Sequence, residues 1–106
     1  MSEHDIQNEI AETFRAASWI VIRVNSLKAK VFGRWQVAYR IFGLGKGSNS
    51  GFPDLLCLKQ GQFRLVEVKK PGGQLKPSQH VFIEFAKRYG VNVHVIESTI
   101  QAEELL

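Results

Sequence analysis

The stretch from residue 51 to residue 70 constrains the fold most, because it has the pattern of a β-hairpin. Two short apolar runs, 55–58 and 63–68, are separated by Gln60-Gly61. Apolar runs of this length indicate strands, and a dipeptide that contains Gly between them indicates a tight turn. The pattern therefore predicts two antiparallel strands joined by a two-residue loop.

The open end of this hairpin carries three charged residues. Counting outward from the loop places Asp54 directly opposite Glu67. Side chains that face each other across an antiparallel pair have Cβ atoms roughly 4.5–5.5 Å apart. Because side chains alternate along a strand, Lys69 lies on the same face as Glu67. The sequence thus predicts two carboxylates and an ammonium group close together.

Two carboxylates at this separation repel each other unless a cation lies between them or one of them stays protonated. Oxygen ligands without several Cys or His suit a hard divalent ion such as Mg²⁺ or Mn²⁺. Such an ion beside a lysine can activate water and stabilise charge on a phosphate. The alternative is structural, an Asp at a strand start and an exposed Glu–Lys strand face. The predicted pairing of Asp54 with Glu67 favours the functional interpretation.

The order Pro53-Asp54, then Glu67-Val68-Lys69, resembles the signature of the PD-(D/E)xK nuclease superfamily. A longer ordered set is more specific and is similar to the VRR-NUC domain, which also occurs as small stand-alone proteins in phages and bacteria. This set comprises Glu9, Gly51, Asp54, Glu67, Lys69 and Gln79. The resemblance covers most of the chain, from about residue 6 to residue 95.

The resemblance implies a metal-dependent DNA endonuclease that uses Mg²⁺ or Mn²⁺. The metal ligands that it implies are Asp54, Glu67 and the backbone carbonyl of Val68. The catalytic residues that it implies are Glu9, Asp54, Glu67, Lys69 and Gln79. In this set Lys69 positions or deprotonates the attacking water, and the two helical residues form an outer shell around it.

Glu9 and Gln79 are the two helical residues of the set. Glu9 follows Ile6 by about one turn, at the margin of a buried stripe, and can point towards the hairpin. The resemblance implies that it holds a water molecule or completes the metal shell, whereas composition alone favours a solvent-facing Glu. Gln79 lies on the same helix side as Phe82, and the resemblance implies that it orients Lys69 or a water. The alternative is a surface residue of the first turn.

The remaining elements indicate a mixed α/β protein. In chain order, the predicted elements besides the central hairpin are a helix over 3–17, a strand over 19–24, a hairpin over 28–32 and 35–42, a helix over 77–89, a strand over 91–96 and a short helix over 99–106. The turn of the second hairpin is predicted at Gly33-Arg34. The PD-(D/E)xK core has this order, so we expect one domain over residues 1–106 with a mixed central β-sheet flanked by helices.

Charge favours a polyanionic partner. The chain carries a formal net charge of +4, and residues 13–53 contain no acidic residue. The predicted DNA-binding residues are Lys28, Lys30, Arg34, Arg40, Lys46 and Ser48. Trp35, Tyr39 and Phe42 interleave with these charges, which suits base stacking or a dimer interface, although the ordinary core is the expected place for Tyr39 and Phe42. An incidental basic surface remains the alternative.

Several functions are excluded by the sequence. The loop from 43 to 51 lacks the ending of a Walker A motif, because Gly45-Lys46 is followed by Gly47. The His residues have no partners at zinc-binding spacing. The single cysteine, Cys57, lies in an apolar strand run, which favours a buried thiol. A single unpaired cysteine also favours a reducing, cytoplasmic setting. The resemblance implies a phage or bacterial protein that is located near the nucleoid.

The substrate that the resemblance implies is branched DNA. Stand-alone members of the family resemble Holliday-junction resolvases, which act as homodimers because two symmetric cuts need two sites. A domain of this size has little surface for reading a long base sequence, which favours recognition of DNA shape. Flap or restriction-type endonucleases and a catalytically inactive nucleic-acid binding module remain alternatives.

Overall fold

A computed structural model of the 106-residue chain describes residues 1–24, 28–37, 41–44 and 51–106. Its elements are α1 (Glu3–Ala16), β1 (Ile20–Arg23), β2 (Lys28–Val31), β3 (Arg34–Val37), β4 (Leu55–Lys59), β5 (Gln62–Val68), α2 (Pro77–Arg88), β6 (Val93–Ile96) and α3 (Thr99–Glu103). The order matches the one predicted from periodicity, and the mixed sheet flanked by helices confirms the expected fold class. None of the described helices is long and apolar enough to cross a bilayer.

The main sheet has four strands in the order β1-β4-β5-β6, of which only β5 and β6 run parallel. The central hairpin has the predicted register, with Lys59 opposite Gln62. Its loop residues Gln60 and Gly61 have φ angles of 48° and 79°, the positive values that a type I′ turn requires. This turn matches the strand twist and fixes which residues meet at the other end of the hairpin.

The predicted second hairpin is confirmed as a separate two-stranded sheet of β2 and β3. Its turn was predicted one residue too late, because Val31 pairs with Arg34 and the loop is Phe32-Gly33. Both loop residues have positive φ, 51° and 79°, and glycine takes the second position as it does in the central hairpin. Residue 42, expected in the core and at the end of the second strand, lies outside β3 and is 84% exposed.

Helices cover the two faces of the main sheet. On one face, α1 and α3 pack over the buried side chains of Leu55, Cys57 and Val66. On the other face, Phe82 and Ala86 of α2 pack with Leu65. The capping box between Ser2 and Asp5 begins α1 at the end of the sheet where β4 starts and β5 ends. The N-terminal ends of α1 and α2 therefore lie near the open end of the central hairpin.

Candidate active site

The approach to β4 is fixed by close packing on the start of α2. A Cβ on Gly51 would lie 2.1 Å from the backbone oxygen of Ser78. The Phe52 ring packs on Phe82, with ring centroids 5.2 Å apart. Pro53 is buried, and the carbonyl of Asp54 accepts a hydrogen bond of 2.8 Å from the N–H of Val24. Only a glycine allows this approach, which sets the position of the Asp54 side chain.

Asp54 lies one step beyond the last paired residues of the hairpin, Leu55 and Val66. Its Oδ2 atom accepts a hydrogen bond of 2.8 Å from the backbone N–H of Val68. The side chain therefore bridges to β5 where the ladder between the strands has ended. The structure agrees with the predicted meeting of Asp54 and Glu67, because Leu55 pairs with Val66 beside them and each carboxyl group shifts the pKa of the other.

Glu67 is the most deeply buried acidic residue of the described chain, with 2% of its surface exposed. Its Oε1 atom accepts a hydrogen bond of 2.8 Å from Nε2 of Gln79. The other end of the Gln79 amide, Oε1, accepts a hydrogen bond of 2.8 Å from the backbone N–H of Lys76. The first turn of α2 thus holds the Glu67 carboxyl group. Gln79 was expected to orient Lys69 or a water, but the contact that the structure shows is with Glu67.

Lys69 completes the group at the end of β5. Its side chain is 8% exposed, and its Nζ atom lies 3.7 Å from Oε1 of Glu67. The backbone N–H of Lys69 donates a hydrogen bond of 3.0 Å to the carbonyl of Ile96, so β6 fixes the strand end. Nζ also lies 3.9 Å from Oε1 of Glu3, at the start of α1. The ammonium group is therefore flanked by carboxyl groups from two elements.

Glu3, and not Glu9, is the residue of α1 that reaches the site. Glu3 is half-buried and touches Lys69, whereas Glu9 is exposed. Six residues at about 100° each place the two side chains about 120° apart around the helix, so they cannot face the same neighbour. Sequence reasoning missed Glu3. The signal that identifies Glu3 is its spacing in the sequence, since it precedes the buried residues Ile6 and Ile10 by three and seven positions.

Burial makes the acidic pair costly to ionise. Burial and, after it, the neighbouring Asp54 carboxylate raise the pKa of Glu67 from the ordinary 4.5 to about 8, while Lys69 opposes the shift. Burial also raises the pKa of Asp54, against the opposing effect of the Val68 N–H. Both raised pKa values favour retention of a proton by the metal-free pair near neutral pH.

The donor set fits a hard divalent ion such as Mg²⁺ or Mn²⁺. Two touching carboxyl groups with raised pKa values are the arrangement that a cation stabilises. The N–H and C=O of one strand residue point to the same side, so the Val68 carbonyl points towards Asp54 as its N–H does. No group of three or more His, Cys, Asp or Glu side chains lies together within the described ranges. Mg²⁺ suits such a site, because it binds one or two carboxylates and keeps water and phosphate oxygens as further ligands.

The predicted DNA-binding residues are described only in part. Arg34 is exposed on the β2–β3 hairpin, and the backbone of Lys28 and Lys30 forms β2. Arg40, Lys46 and Ser48 lie outside the described residues. Cys57 is buried among the core residues, and burial raises the pKa of its thiol to about 12, which makes it a poor nucleophile.

Known proteins were compared with the chain in three ways. A family model described as the VRR-NUC domain matches residues 2–99. A solved structure titled as a VRR_NUC domain is similar to this fold, with a TM-score of 0.66, and is 28% identical in sequence over 97% of this chain and 91% of that chain. A search of curated proteins found no match. The two matches agree with the resemblance that the motif residues indicated.

Proposed function

The chain belongs to the VRR-NUC domain family, a nuclease-type family, and on this premise we propose that it is a metal-dependent endonuclease for branched DNA. The observation that carries the proposal is the group formed by Asp54, Glu67 and Lys69 at the end of the sheet. Glu67 and Lys69 are ionisable and almost completely buried. Burial of ionisable groups costs free energy. A surface that only binds DNA does not require such burial, whereas a catalytic site does.

In the proposed mechanism, Asp54, Glu67 and the carbonyl of Val68 hold one Mg²⁺ or Mn²⁺ ion. When bound, this ion supplies Lewis-acid chemistry, in which it polarises the scissile phosphate and makes a nearby water more acidic. Lys69 positions the attacking water and offsets the negative charge that develops on the phosphate oxygens. The chain's own geometry supports these roles, because the three side chains converge from two neighbouring strands.

Two further residues hold this group in place. Gln79 fixes the Glu67 carboxyl group through its hydrogen bond, and its own orientation is fixed by the backbone of α2. Glu3 lies beside the Lys69 ammonium and restrains its position. Partners of this kind typically contribute 10- to 100-fold to affinity for the metal or to activity. We propose both as positioning residues.

We further propose that the enzyme acts as a homodimer that cuts four-way junctions. Two cuts related by symmetry need two active sites, and β1 lies at an edge of the main sheet. Ile20, Leu58 and Phe63 are paired in register across β1, β4 and β5 and form an apolar row. Ile20 is 63% exposed and Phe63 is 48% exposed. An edge strand beside exposed apolar side chains favours contact with a second copy.

One experiment tests the proposed function directly. Labelled duplex, flap and four-way substrates are incubated with the protein, with and without Mn²⁺, beside the Asp54→Asn and Lys69→Ala variants. We expect Mn²⁺-dependent cleavage of the four-way substrate and a loss of several orders of magnitude in both variants. Cleavage by either variant at the wild-type rate would contradict the assigned roles.

The other substrates in the same assay separate the alternatives. Cleavage of flaps alone would identify a flap nuclease, and cleavage of plain duplex at a fixed short sequence would identify a restriction-type enzyme. Binding to DNA with no cleavage under any divalent ion would leave only a binding module.

We propose that the protein acts in a phage or bacterial cytoplasm, near the nucleoid, where the buried Cys57 thiol stays reduced.

A further inference from the structure

The β2–β3 hairpin carries a fully exposed aromatic side chain at its tip. Phe32 is 100% exposed and occupies the first loop position, with a φ of 51°. Non-glycine residues other than Asn and Asp rarely adopt this left-handed conformation, because their Cβ approaches the backbone. Among the described residues, none contacts the ring in a way that would offset this conformation. Packing against the described part of the chain therefore does not explain a phenylalanine here.

The central hairpin provides an internal comparison. Its loop residues Gln60 and Gly61 have φ angles of 48° and 79°, and Phe32 and Gly33 have 51° and 79°. The two turns therefore have the same backbone geometry, and in the central hairpin a polar residue fills the first position. Since Asn, Asp and Gly are the residues that favour this position, turn chemistry does not select Phe32. Disfavoured backbone conformations at non-glycine residues cluster at functional and ligand-contacting sites.

The charge of the hairpin indicates the class of partner. Residues 28–37 include Lys28, Lys30 and Arg34 and no acidic residue, and they belong to the longer stretch 13–53 without any acid. A patch that binds another protein normally has few lysines, whereas a DNA-binding surface combines basic residues with aromatic rings. A nucleic acid strand satisfies both the charge and the exposed ring.

We propose that the Phe32 ring stacks on an unstacked base at the branch point of the substrate, while the exposed Arg34 of the same hairpin contacts a flanking phosphate. This inference rests on the proposed function, because branched DNA supplies the unstacked base. Stacking on a base face tolerates any sequence, which suits an enzyme that recognises DNA by structure. Phe32 then contributes to selection of branched over continuous duplex, in which every base is already stacked.

The decisive variant is Phe32→Asn, because asparagine suits the turn better than phenylalanine does. We expect an unchanged or higher melting temperature together with about 5- to 150-fold weaker binding to four-way DNA, the effect of losing one base–aromatic stack. Phe32→Trp retains a stacking ring and is expected to bind within a few-fold of the wild type. The matched control is Gln60→Asn, which introduces the same residue at the equivalent position of the other turn. We expect this variant to leave DNA binding unchanged.

Binding is measured without divalent ions, so its result does not depend on cleavage. A 2-aminopurine base at the branch point reports stacking through its fluorescence, which the wild type and Phe32→Trp quench and Phe32→Asn does not. Equal binding and equal quenching by Phe32→Asn would overturn the inference. So would a shift of the DNA-free Phe32→Asn protein to a smaller species in sedimentation, because the ring would then contact a second copy of the chain. Normal stacking by a wild type that cleaves no DNA would instead contradict only the proposed function.

Discussion

At the scale of single residues, the acidic pair links stability to function. In the folded protein the pKa of Glu67 is raised to about 8, whereas the ordinary pKa of a glutamate is 4.5. Between these two values the folded state holds one proton more than the unfolded state, so the free energy of unfolding falls as pH rises. The raised pKa of Asp54 acts in the same direction. The metal-free protein is therefore most stable on the acidic side of this window.

We predict that the free energy of unfolding of the metal-free protein falls between pH 5 and pH 8 by on the order of 1 kcal/mol per pH unit. Glu67→Gln should flatten this slope, because its neutral amide needs no proton and can still accept from Gln79 and donate to Asp54. Urea denaturation at several pH values measures both slopes. The variant should be at least as stable as the wild type at pH 8 and have no nuclease activity. A wild-type slope of zero, or an equal slope in the variant, would contradict the protonated pair.

Two of the three glutamates of α1, Glu3 and Glu9, provide a matched pair of variants. Glu3→Gln removes the carboxylate beside Lys69, and we expect single-turnover cleavage to slow by about 10- to 100-fold, as is typical for positioning residues. Glu9→Gln changes an exposed side chain of the same helix and should leave the rate unchanged. Rates are compared at saturating DNA, so that altered binding does not enter. A larger loss in Glu9→Gln than in Glu3→Gln would restore the residue that sequence reasoning chose.

The comparison of Glu3 with Glu9 also indicates how far the site can be predicted from sequence. The meeting of Asp54 and Glu67 follows from counting residues away from a two-residue turn, which is local information. The choice between Glu3 and Glu9 depends on which side of α1 packs on the sheet, which the spacing from Ile6 and Ile10 signals only indirectly. Gln79 could be predicted as a residue near the site, but its contact with Glu67 depends on where α2 begins relative to β5. Strand register therefore predicted which side chains meet, whereas the partners of the helical residues depend on tertiary packing.

At the scale of elements, the hairpins show the same division. Gly61 and Gly33 both occupy the second loop position, where a positive φ favours glycine, and this makes the existence of each hairpin predictable. The sequence does not indicate that Phe32 fills the first position, because turn statistics disfavour it. The turn was accordingly placed one residue late, at Gly33-Arg34. A residue that violates turn preference therefore misplaces a turn that is otherwise well signalled.

The junction between β4 and α2 supports a prediction about Gly51. In Gly51→Ala the new Cβ would lie 2.1 Å from the Ser78 oxygen, so the backbone must move. Overpacking of this kind typically costs about 1–3 kcal/mol, and the displaced segment carries Asp54. We expect a lower melting temperature and slower cleavage, measured by thermal denaturation and by the junction assay.

The control for this variant is Gly61→Ala, at the tip of the central hairpin. A Cβ at this position has no atom within 4 Å, so the cost comes only from the positive φ of 79°. We expect a stability loss of about 1–2 kcal/mol and an unchanged cleavage rate at a temperature where both proteins are folded. If the two variants lost the same stability and kept the same activity, the close packing on α2 would have no role in placing Asp54.

At the scale of the whole molecule, the candidate active site and the apolar row lie in different parts of the main sheet. Asp54 precedes β4 and Lys69 follows β5, at the open end of the central hairpin, whereas Leu58 and Phe63 flank its loop end. Contact with a second copy through the row that these residues form with Ile20 would leave the catalytic group open to DNA. The proposed dimer would then present two sites to one junction, which is what paired cutting needs.

We predict that Ile20→Lys converts the protein from a dimer to a monomer, because a charge replaces an exposed apolar side chain in this row. The matched control is Ile100→Lys on α3, since Ile100 is 70% exposed and Ile20 is 63% exposed. Sedimentation at several concentrations measures the assembly.

A supercoiled plasmid with an extruded four-way junction measures the coupling of cuts, because paired cuts give linear DNA and single cuts give nicked circles. The wild type and Ile100→Lys should give mainly linear product, and Ile20→Lys mainly nicked product. A wild type that sediments as a monomer on DNA, or an Ile20→Lys protein that still yields linear DNA, would show that paired cutting does not depend on this surface.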